Sequence, residues 1–190
     1  MMRPKHPVWY LEYSTWKQLI TVQAIVNRKI KAFRGEPMKE PPWIHAVDIF
    51  GVRDVDKESP TYHTIVRRKF IKLQDYERTT ARDDLIRQAQ KESYAEEYQG
   101  ILNDQPPKGK LLKKLRATMD KDRQIIVCVG RQQAFFTRHK LKPLVLLPSD
   151  HYITKLIIRH THENIVGHMG MRAMISQLRR ELQRRCPLPG

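Results

Sequence analysis

Three stretches of the chain repeat apolar residues at the three-to-four spacing of an α-helix, and each stretch ends in a cluster of glycine or proline. They run from about Ser14 to Phe33, over residues 81–102 and over residues 149–186. Because glycine and proline disfavour the continuation of a helix, these clusters limit how far each helix extends. The pattern predicts a mainly α-helical protein.

Residues that favour helix starts lie near the beginning of each stretch. The candidate caps are Ser14 or Thr15 for the first helix and Ser149 or Asp150 for the third. Asp83 and Asp84 suit the positive end of the second helix dipole. The stretch "NIVGHMG" interrupts the third helix, which then resumes as "MRAMISQLRRELQRR".

A small β element is expected between the second and third helical stretches. "KLLKKLRATMDKDRQIIVCVGR" predicts a short basic helix, a turn at Asp120–Asp122 and a strand around Ile125–Val129. "KPLVLLP", bounded by Pro143 and Pro148, predicts a second strand, and the two form a small hairpin or two-stranded platform. Residues 35–80 are rich in proline and charge and predict a poorly ordered connector.

The chain is strongly basic: 36 lysines and arginines against 20 acidic residues give a formal net charge of +16. An excess of this size indicates a polyanionic partner, most often nucleic acid. The alternative is a basic piece of a larger, better balanced chain. The N-terminus has no apolar signal region, the apolar runs are too short to span a bilayer, and two cysteines make no disulfide framework. We therefore expect a protein that is nuclear or cytoplasmic rather than secreted, with no membrane partner.

Nine basic residues are candidates for contacting phosphates in a salt-dependent, sequence-independent way. They are Lys110, Lys113, Lys114, Arg116, Arg172, Arg179, Arg180, Arg184 and Arg185. The alternative for each of them is an ordinary position on a solvated helix face.

The stretch "HTHENIVGHMG" holds three histidines and is a candidate metal site. Five residues separate His162 from His168, a spacing that zinc modules use. On an unbroken helix these two side chains would point roughly 120° apart, but Gly167 allows the backbone to turn back. His160 lies on another face and is expected to be packed or solvent-facing. The pair supplies two of the four ligands that a structural zinc ion requires.

The order of these segments resembles BEL/Pao-type LTR retrotransposon polyproteins. "LKPLVLLPSDHYITKLIIRHTHENIVGHMGMRAMISQLRRE" resembles the start of the integrase zinc-binding domain of that family. Three earlier stretches of this chain resemble the regions that precede that domain in the family. In order back toward the N-terminus they are "LKKLRATMDKDRQIIVCVGR", "ARDDLIRQAQKESYAEEYQGIL" and "STWKQLITVQAIVNRKIKAF". The similarity runs from about Ser14 to Glu181 and is poor across residues 35–80.

The resemblance implies that His162 and His168 match the first two zinc ligands of the family, with one extra residue between them in this chain. Two cysteines separated by two residues should follow a "YW-I-P" segment, and this sequence has neither feature; Cys186 lies too close to His168 to be the first of them. The expectation is a zinc-binding domain truncated within its site, so that zinc would be held incompletely.

The composition and the helical patterns, together with the resemblance for the last part, divide the chain into four segments. They are an N-terminal helical segment (1–34), the connector (35–80), a helix-plus-strand region (81–142) and the truncated integrase zinc-binding-like domain (143–190). The fold class is then mainly α with a small β element, a helical connector followed by a truncated helical integrase-type domain.

No catalytic motif is recognisable in the chain, and the acidic residues fall in a helix start, a turn and a connector. We therefore expect no enzyme activity, since the reverse transcriptase, RNase H and integrase cores of the family lack counterparts here. The implied role is non-catalytic nucleic-acid binding or multimerisation in DNA integration, with DNA or element RNA, a second copy, or other polyprotein parts as partners. Two alternatives are a free-standing basic nucleic-acid-binding protein derived from such an element, and a metal-dependent hydrolase built on His160, His162 and His168 with Glu163 nearby.

Overall fold

A computed structural model describes residues 9–35, 73–130, 138, 143–167 and 170–183, and within them the fold is mainly helical with a small antiparallel sheet, as predicted. The helices are α1 (Trp16–Phe33), α2 (Asp75–Ser93), α3 (Ala95–Leu102), α4 (Lys110–Leu115), α5 (Tyr152–His160) and α6 (Met171–Gln183). The strands are β1 (Ala117–Asp120), β2 (Ile125–Cys128) and β3 (Leu144–Val145). A 3₁₀ turn (Trp9–Glu12) precedes α1, and a π-helical turn (Thr161–Ile165) follows α5.

The first helix begins where the sequence predicts. Thr15 is its N-cap, and its side-chain oxygen accepts a hydrogen bond from the backbone N–H of Gln18 at 3.3 Å. Trp16 and Leu19 are buried as expected, but Ile30 is 44% exposed. The described residues therefore cover only part of the apolar face of α1.

The second helix begins at Asp75 rather than at residue 81, so residues 75–80, which the sequence predicts as connector, are helical. Gln74 and Glu77 form a capping box, in which the Glu77 carboxylate accepts a hydrogen bond from the Gln74 backbone N–H at 2.8 Å. Asp83 consequently lies inside the helix, away from the positive end of its dipole. The helix also breaks at Tyr94, where α3 begins. The rest of the connector, residues 36–72, lies outside the described residues.

The sheet has one strand more than predicted. The basic helix α4 ends at Arg116, which adopts a left-handed conformation with φ of 50°, and β1 follows at once. β1 pairs with β2 from Ala117 opposite Cys128 to Asp120 opposite Ile125, which forms a hairpin. β2 is the central strand, because β3 pairs with its other edge as predicted.

One buried cluster joins α1, α2, β2, α5 and α6. Its members are Tyr10, Trp16, Leu19, Leu85, Ile86, Ala89, Ile125, Val127, Ile153, Leu156, Ile157 and Leu182. The fully buried Gln90 of α2 ties the helices to the sheet: its amide donates to the carbonyl oxygens of Ile126 at 2.9 Å and Leu146 at 2.7 Å, and its oxygen accepts from the Ile126 N–H. Residues from three of the four predicted segments thus share one core, while the segment boundaries themselves stay a prediction.

The last helical region is interrupted where the sequence indicates. α5 is capped by His151, not by Ser149 or Asp150: the His151 Nδ1 atom accepts a hydrogen bond from the Ile153 N–H at 3.2 Å. Gly167 has a positive φ of 56°, a conformation that glycine adopts without steric cost, and α6 starts at Met171. Within the described part of the chain, no helix combines the length and the apolar composition that crossing a membrane would require.

Candidate nucleic-acid interface and histidine turn

Three arginines of α6 lie on the side of the helix that faces away from the core. Arg172 and Arg179 are seven residues apart, about two helical turns, and so point in nearly the same direction. Arg180 points about 100° further round the helix, so the three side chains span an arc of about 100°. All three are exposed, whereas Leu178 and Leu182 pack against the core. Among the residues that the structure describes, none of these arginines forms an ion pair. We call this set the arginine face.

The lysines of α4 have a similar arrangement on a shorter helix. Lys110, Lys113 and Lys114 are exposed on the side opposite the buried Leu112, and Arg116 is exposed directly after the helix. No carboxylate in the described ranges pairs with any of these four cations. Seven of the nine candidate phosphate-contacting residues are therefore solvent-accessible positive charges. The other two, Arg184 and Arg185, lie outside the described residues.

Other arginines are used to join structural elements. The Arg123 guanidinium forms a two-pronged contact with Asp83, with Nε–Oδ2 at 2.8 Å and Nη2–Oδ1 at 2.6 Å. Its third nitrogen donates to the carbonyl oxygen of Leu182 at 3.2 Å, and Arg82 Nη1 donates to that of Glu181 at 2.7 Å. Two cations therefore satisfy carbonyls at the C-terminal end of α6, where the helix dipole is negative.

The α1–α2 contact has its own ion pair, between Arg28 and Glu77. Arg28 Nε donates to Glu77 Oε1 at 2.7 Å, and Nη2 donates to Oε2. Burial works to raise the pKa of Glu77, but the hydrogen bonds from Arg28 and the Gln74 backbone outweigh it, and the pKa is held below its usual value. The Arg28–Glu77 ion pair thus connects α1 and α2, the two longest described helices.

The histidine stretch contains a π-helical turn. The Val166 N–H donates to the Thr161 carbonyl oxygen at 3.0 Å, five residues back, and the Thr161 hydroxyl donates to the Ile157 carbonyl oxygen at 2.9 Å. A π turn holds about one residue more than an α turn and often occurs at functional sites.

The structure places one of the two predicted zinc ligands. His162 lies half-buried within the π turn, and His168 lies outside the described residues. In the described ranges, no three histidine, cysteine, aspartate or glutamate side chains are grouped so that they could hold a metal ion. His160 is half-buried at the end of α5; burial, and then the charge of Lys17, lower its pKa below the usual 6.5, against the opposing charges of Glu181 and Glu163.

A hydrogen-bonded cluster links the 3₁₀ turn, α2 and α5. The Tyr10 hydroxyl donates to Glu92 Oε2, and His151 Nε2 lies 2.9 Å from the same oxygen. Because His151 Nδ1 accepts the capping bond from Ile153, the Nε2 atom carries the proton and donates to Glu92. Burial and the neighbouring carboxylate raise the pKa of Tyr10 well above its usual value, so the phenol keeps its proton. This cluster positions the start of α5.

A cleft of about 700 Å³ opens between α1, α2, α5 and α6. Its lining comprises Trp16, Lys17, Ile20, Asp75, Arg78, Thr79, Arg82, Ile157, His160, Thr161, Ile165, Leu178, Glu181 and Leu182. The sequence did not point to this cleft, because Arg78 fell within the predicted connector. The three-residue spacing from Gln74 to Glu77 is a weak local signal that could place Arg78 on α2, because glutamine is not among the residues preferred at an N-cap.

Comparisons of the chain with protein-family models, with curated proteins and with solved structures give no match.

Proposed function

We propose that this chain is a non-catalytic nucleic-acid-binding segment of a BEL/Pao-type retrotransposon polyprotein, with a role in DNA integration. The observation that carries the proposal is the arginine face: Arg172, Arg179 and Arg180 are exposed, lie on one side of α6 and have no carboxylate partner among the described residues. Cations in this state are available to replace the counterions of a phosphate backbone.

The lysines of α4 add a second group of available charges, and the net charge of +16 favours association with any polyanion. The family assignment rests on the order of the four sequence segments described above. Between His162 and His168 the chain departs from the family pattern by one extra residue, and the π turn is a place where that residue fits.

The alternative, a free-standing basic nucleic-acid-binding protein, is favoured by one observation. The buried cluster draws on α1, α2, β2, α5 and α6 together, so the described residues share a core of their own. Both roles use the same contact with nucleic acid, and they differ in whether the chain acts within a larger polyprotein.

Zinc is proposed only as an ion shared by His162 and His168 with ligands from elsewhere, such as a second copy of the chain. The donors in the described residues do not complete a site, and nothing in the DNA contact depends on zinc. Metal content of the purified protein, compared between the wild type and His162→Ala, tests this point. If neither the wild type nor His162→Ala contains bound metal, zinc is not part of the proposal.

The test of nucleic-acid binding is the salt dependence of affinity for a duplex DNA, measured by fluorescence anisotropy. The variant R172Q/R179Q/R180Q removes the arginine face, and we expect it to reduce the slope of log K against log [salt] by about 3, roughly one per lost phosphate contact. The control K29Q/K31Q/K155Q removes the same charge from exposed lysines on α1 and α5.

We expect the control variant to keep most of the wild-type slope, because long-range attraction alone is screened over about 10 Å at moderate salt. Equal losses in the two variants would show that the arginine face is not the interface. Wild-type retention on duplex DNA that did not change with salt would contradict nucleic-acid binding altogether.

A further inference from the structure

The lining of the cleft between α1, α2, α5 and α6 includes two cations that form no ion pair with any described residue. Lys17 and Arg78 are both exposed, and no carboxylate in the described ranges pairs with either side chain. Arg82 differs from them, because Asp83 and the Glu181 carbonyl oxygen already occupy its guanidinium. Two positive charges therefore remain for an anionic group that enters the cleft.

The rest of the lining has a different chemistry. Six apolar residues line it: Trp16, Ile20, Ile157, Ile165, Leu178 and Leu182. Trp16, Ile157 and Leu182 are buried, so the apolar surface that a ligand can reach comes mainly from Ile20, Ile165 and Leu178. The exposed carboxylate of Asp75 also lines the cleft, as does Glu181, whose carboxylate accepts a hydrogen bond from Gln177. An anion alone would be repelled by Asp75 and would leave the apolar walls uncovered. A ligand that combines a negative group, an apolar body and N–H donors can contact the two cations, the apolar residues and Asp75.

The cleft adjoins the arginine face. Leu178 and Glu181 line the cleft, and their chain neighbours Arg179 and Arg180 belong to the arginine face on the outer side of the same helix. A strand whose phosphates contact the arginine face would therefore run along the same helix that lines the cleft. A volume of about 700 Å³ falls within the range of roughly 300–1,000 Å³ that ligand pockets of this kind have.

We propose that this cleft binds one unstacked nucleotide of a bound single strand. Lys17 and Arg78 contact its phosphate, the base lies against the apolar walls, and the N–H groups of the base face Asp75. The inference rests on the proposed nucleic-acid binding and adds to it a preference for single-stranded over duplex DNA. Unstacked bases are the part of a nucleic acid that proteins bind by apolar contact without reading sequence.

The test compares a single-stranded 12-mer with the corresponding duplex at matched salt, using K17Q/R78Q and the control K29Q/K31Q. Both variants remove two exposed cations, and K29Q/K31Q removes them from α1 at positions that do not line the cleft. We expect K17Q/R78Q to lower affinity for the single strand at least about fivefold more than the control does, as loss of charge-assisted contacts requires. Duplex affinity should fall equally in the two variants. Thermal unfolding of both variants checks that the fold is retained.

A second measurement uses dAMP as the probe, with inorganic phosphate and decanoate as comparisons, and follows NMR signals of residues in α1 and α6. We expect dAMP to shift the signals of Lys17 and Leu178 in the wild type and not in K17Q/R78Q. Equal shifts with decanoate would show a site for any apolar anion and would overturn the nucleotide assignment. Equal losses of single-strand affinity in K17Q/R78Q and K29Q/K31Q would overturn it as well.

The two proposals fail separately. If duplex binding is salt-dependent but dAMP leaves the cleft signals unchanged, the cleft proposal is wrong and the proposed function stands. If dAMP binds while neither strand form binds in a salt-dependent way, the proposed function is wrong and the cleft remains a nucleotide site.

Discussion

Arginine has two different roles in this molecule, and they separate by position. At the contacts between elements, Arg28 and Arg123 each make a two-pronged contact with one carboxylate, and their side chains are at most 22% exposed. On the outer side of α6, Arg172 and Arg179 are exposed and have no ion pair within the described residues. The same residue type therefore stabilises the fold in one region and is available to a partner in the other.

This difference explains how the charge excess is distributed. Glu77 and Asp83 each form an ion pair with an arginine of another structural element, and Asp84 pairs with Arg87 within α2. These pairs cancel in the net charge. The exposed cations of α4 and α6 have no such partners among the residues that the structure describes, so they contribute directly to the positive surface.

The largest effect is expected at the Arg123–Asp83 pair. R123Q leaves the Asp83 carboxylate, which is 11% exposed, with Arg82 alone and also removes the hydrogen bond to the Leu182 carbonyl oxygen. Breaking a mostly buried pair by removing one partner costs about 3 kcal/mol of unfolding free energy. Urea unfolding measures it. The exposed Lys121–Asp104 pair is the control, and K121Q should cost less than about 0.5 kcal/mol; equal costs would refute the comparison.

The Arg28–Glu77 pair should give a smaller effect that depends on pH. E77Q is expected to cost about 1–2 kcal/mol near pH 7. The pKa of Glu77 is lower in the folded protein than its ordinary value of 4.5, so the folded state binds fewer protons. The stability from this pair is therefore present above about pH 4.5 and is lost as the pH falls through the folded-state pKa.

Unfolding curves of the wild type and E77Q recorded from pH 7 to pH 2 check this sign. The two free energies should converge as the solution becomes acidic. E96Q, at an exposed position on α3, is the matched control. Its unfolding free energy should change between pH 7 and pH 2 by the same amount as that of the wild type. A wild-type to E77Q difference that stays constant over the range would mean that the ion pair does not stabilise the α1–α2 contact.

The smallest effect on stability is expected from the arginine face. R172Q/R179Q/R180Q replaces three exposed side chains by one with a similar helix propensity, so unfolding free energy should change by less than about 0.5 kcal/mol. The same variant is expected to lose DNA affinity, as described above. A loss of stability comparable with that of R123Q would place these arginines with the structural ones.

Local patterns in the sequence predict much of the secondary structure. The start of α1 at Thr15, the strand at Ile125 and the break at Gly167 depend on caps, β-branched runs and glycine, all of which act over a few residues. The start of α2 was missed because Gln74 is an uncommon cap, and β1 was missed because its four residues, "ATMD", carry no clear alternation.

The candidate site divides in the same way. The nine basic residues and the histidine pair could be named from composition and spacing. The cleft could not, because its lining comes from α1, α2, α5 and α6, which are far apart in the sequence. Helical periodicity identifies which side of a helix is apolar, but it does not identify which other helix covers it.

The sequence by itself therefore determined the helical class, the positive charge and the residues at which α1 starts and α5–α6 is interrupted. The tertiary structure decided which of the charges are available. Arg123 and Asp83 are 40 residues apart and meet only when the β1–β2 turn packs against α2, whereas Arg172 and Arg179 remain on the outside of α6. Whether a cation is neutralised depends on the distance to a carboxylate in space, and the fold sets that distance.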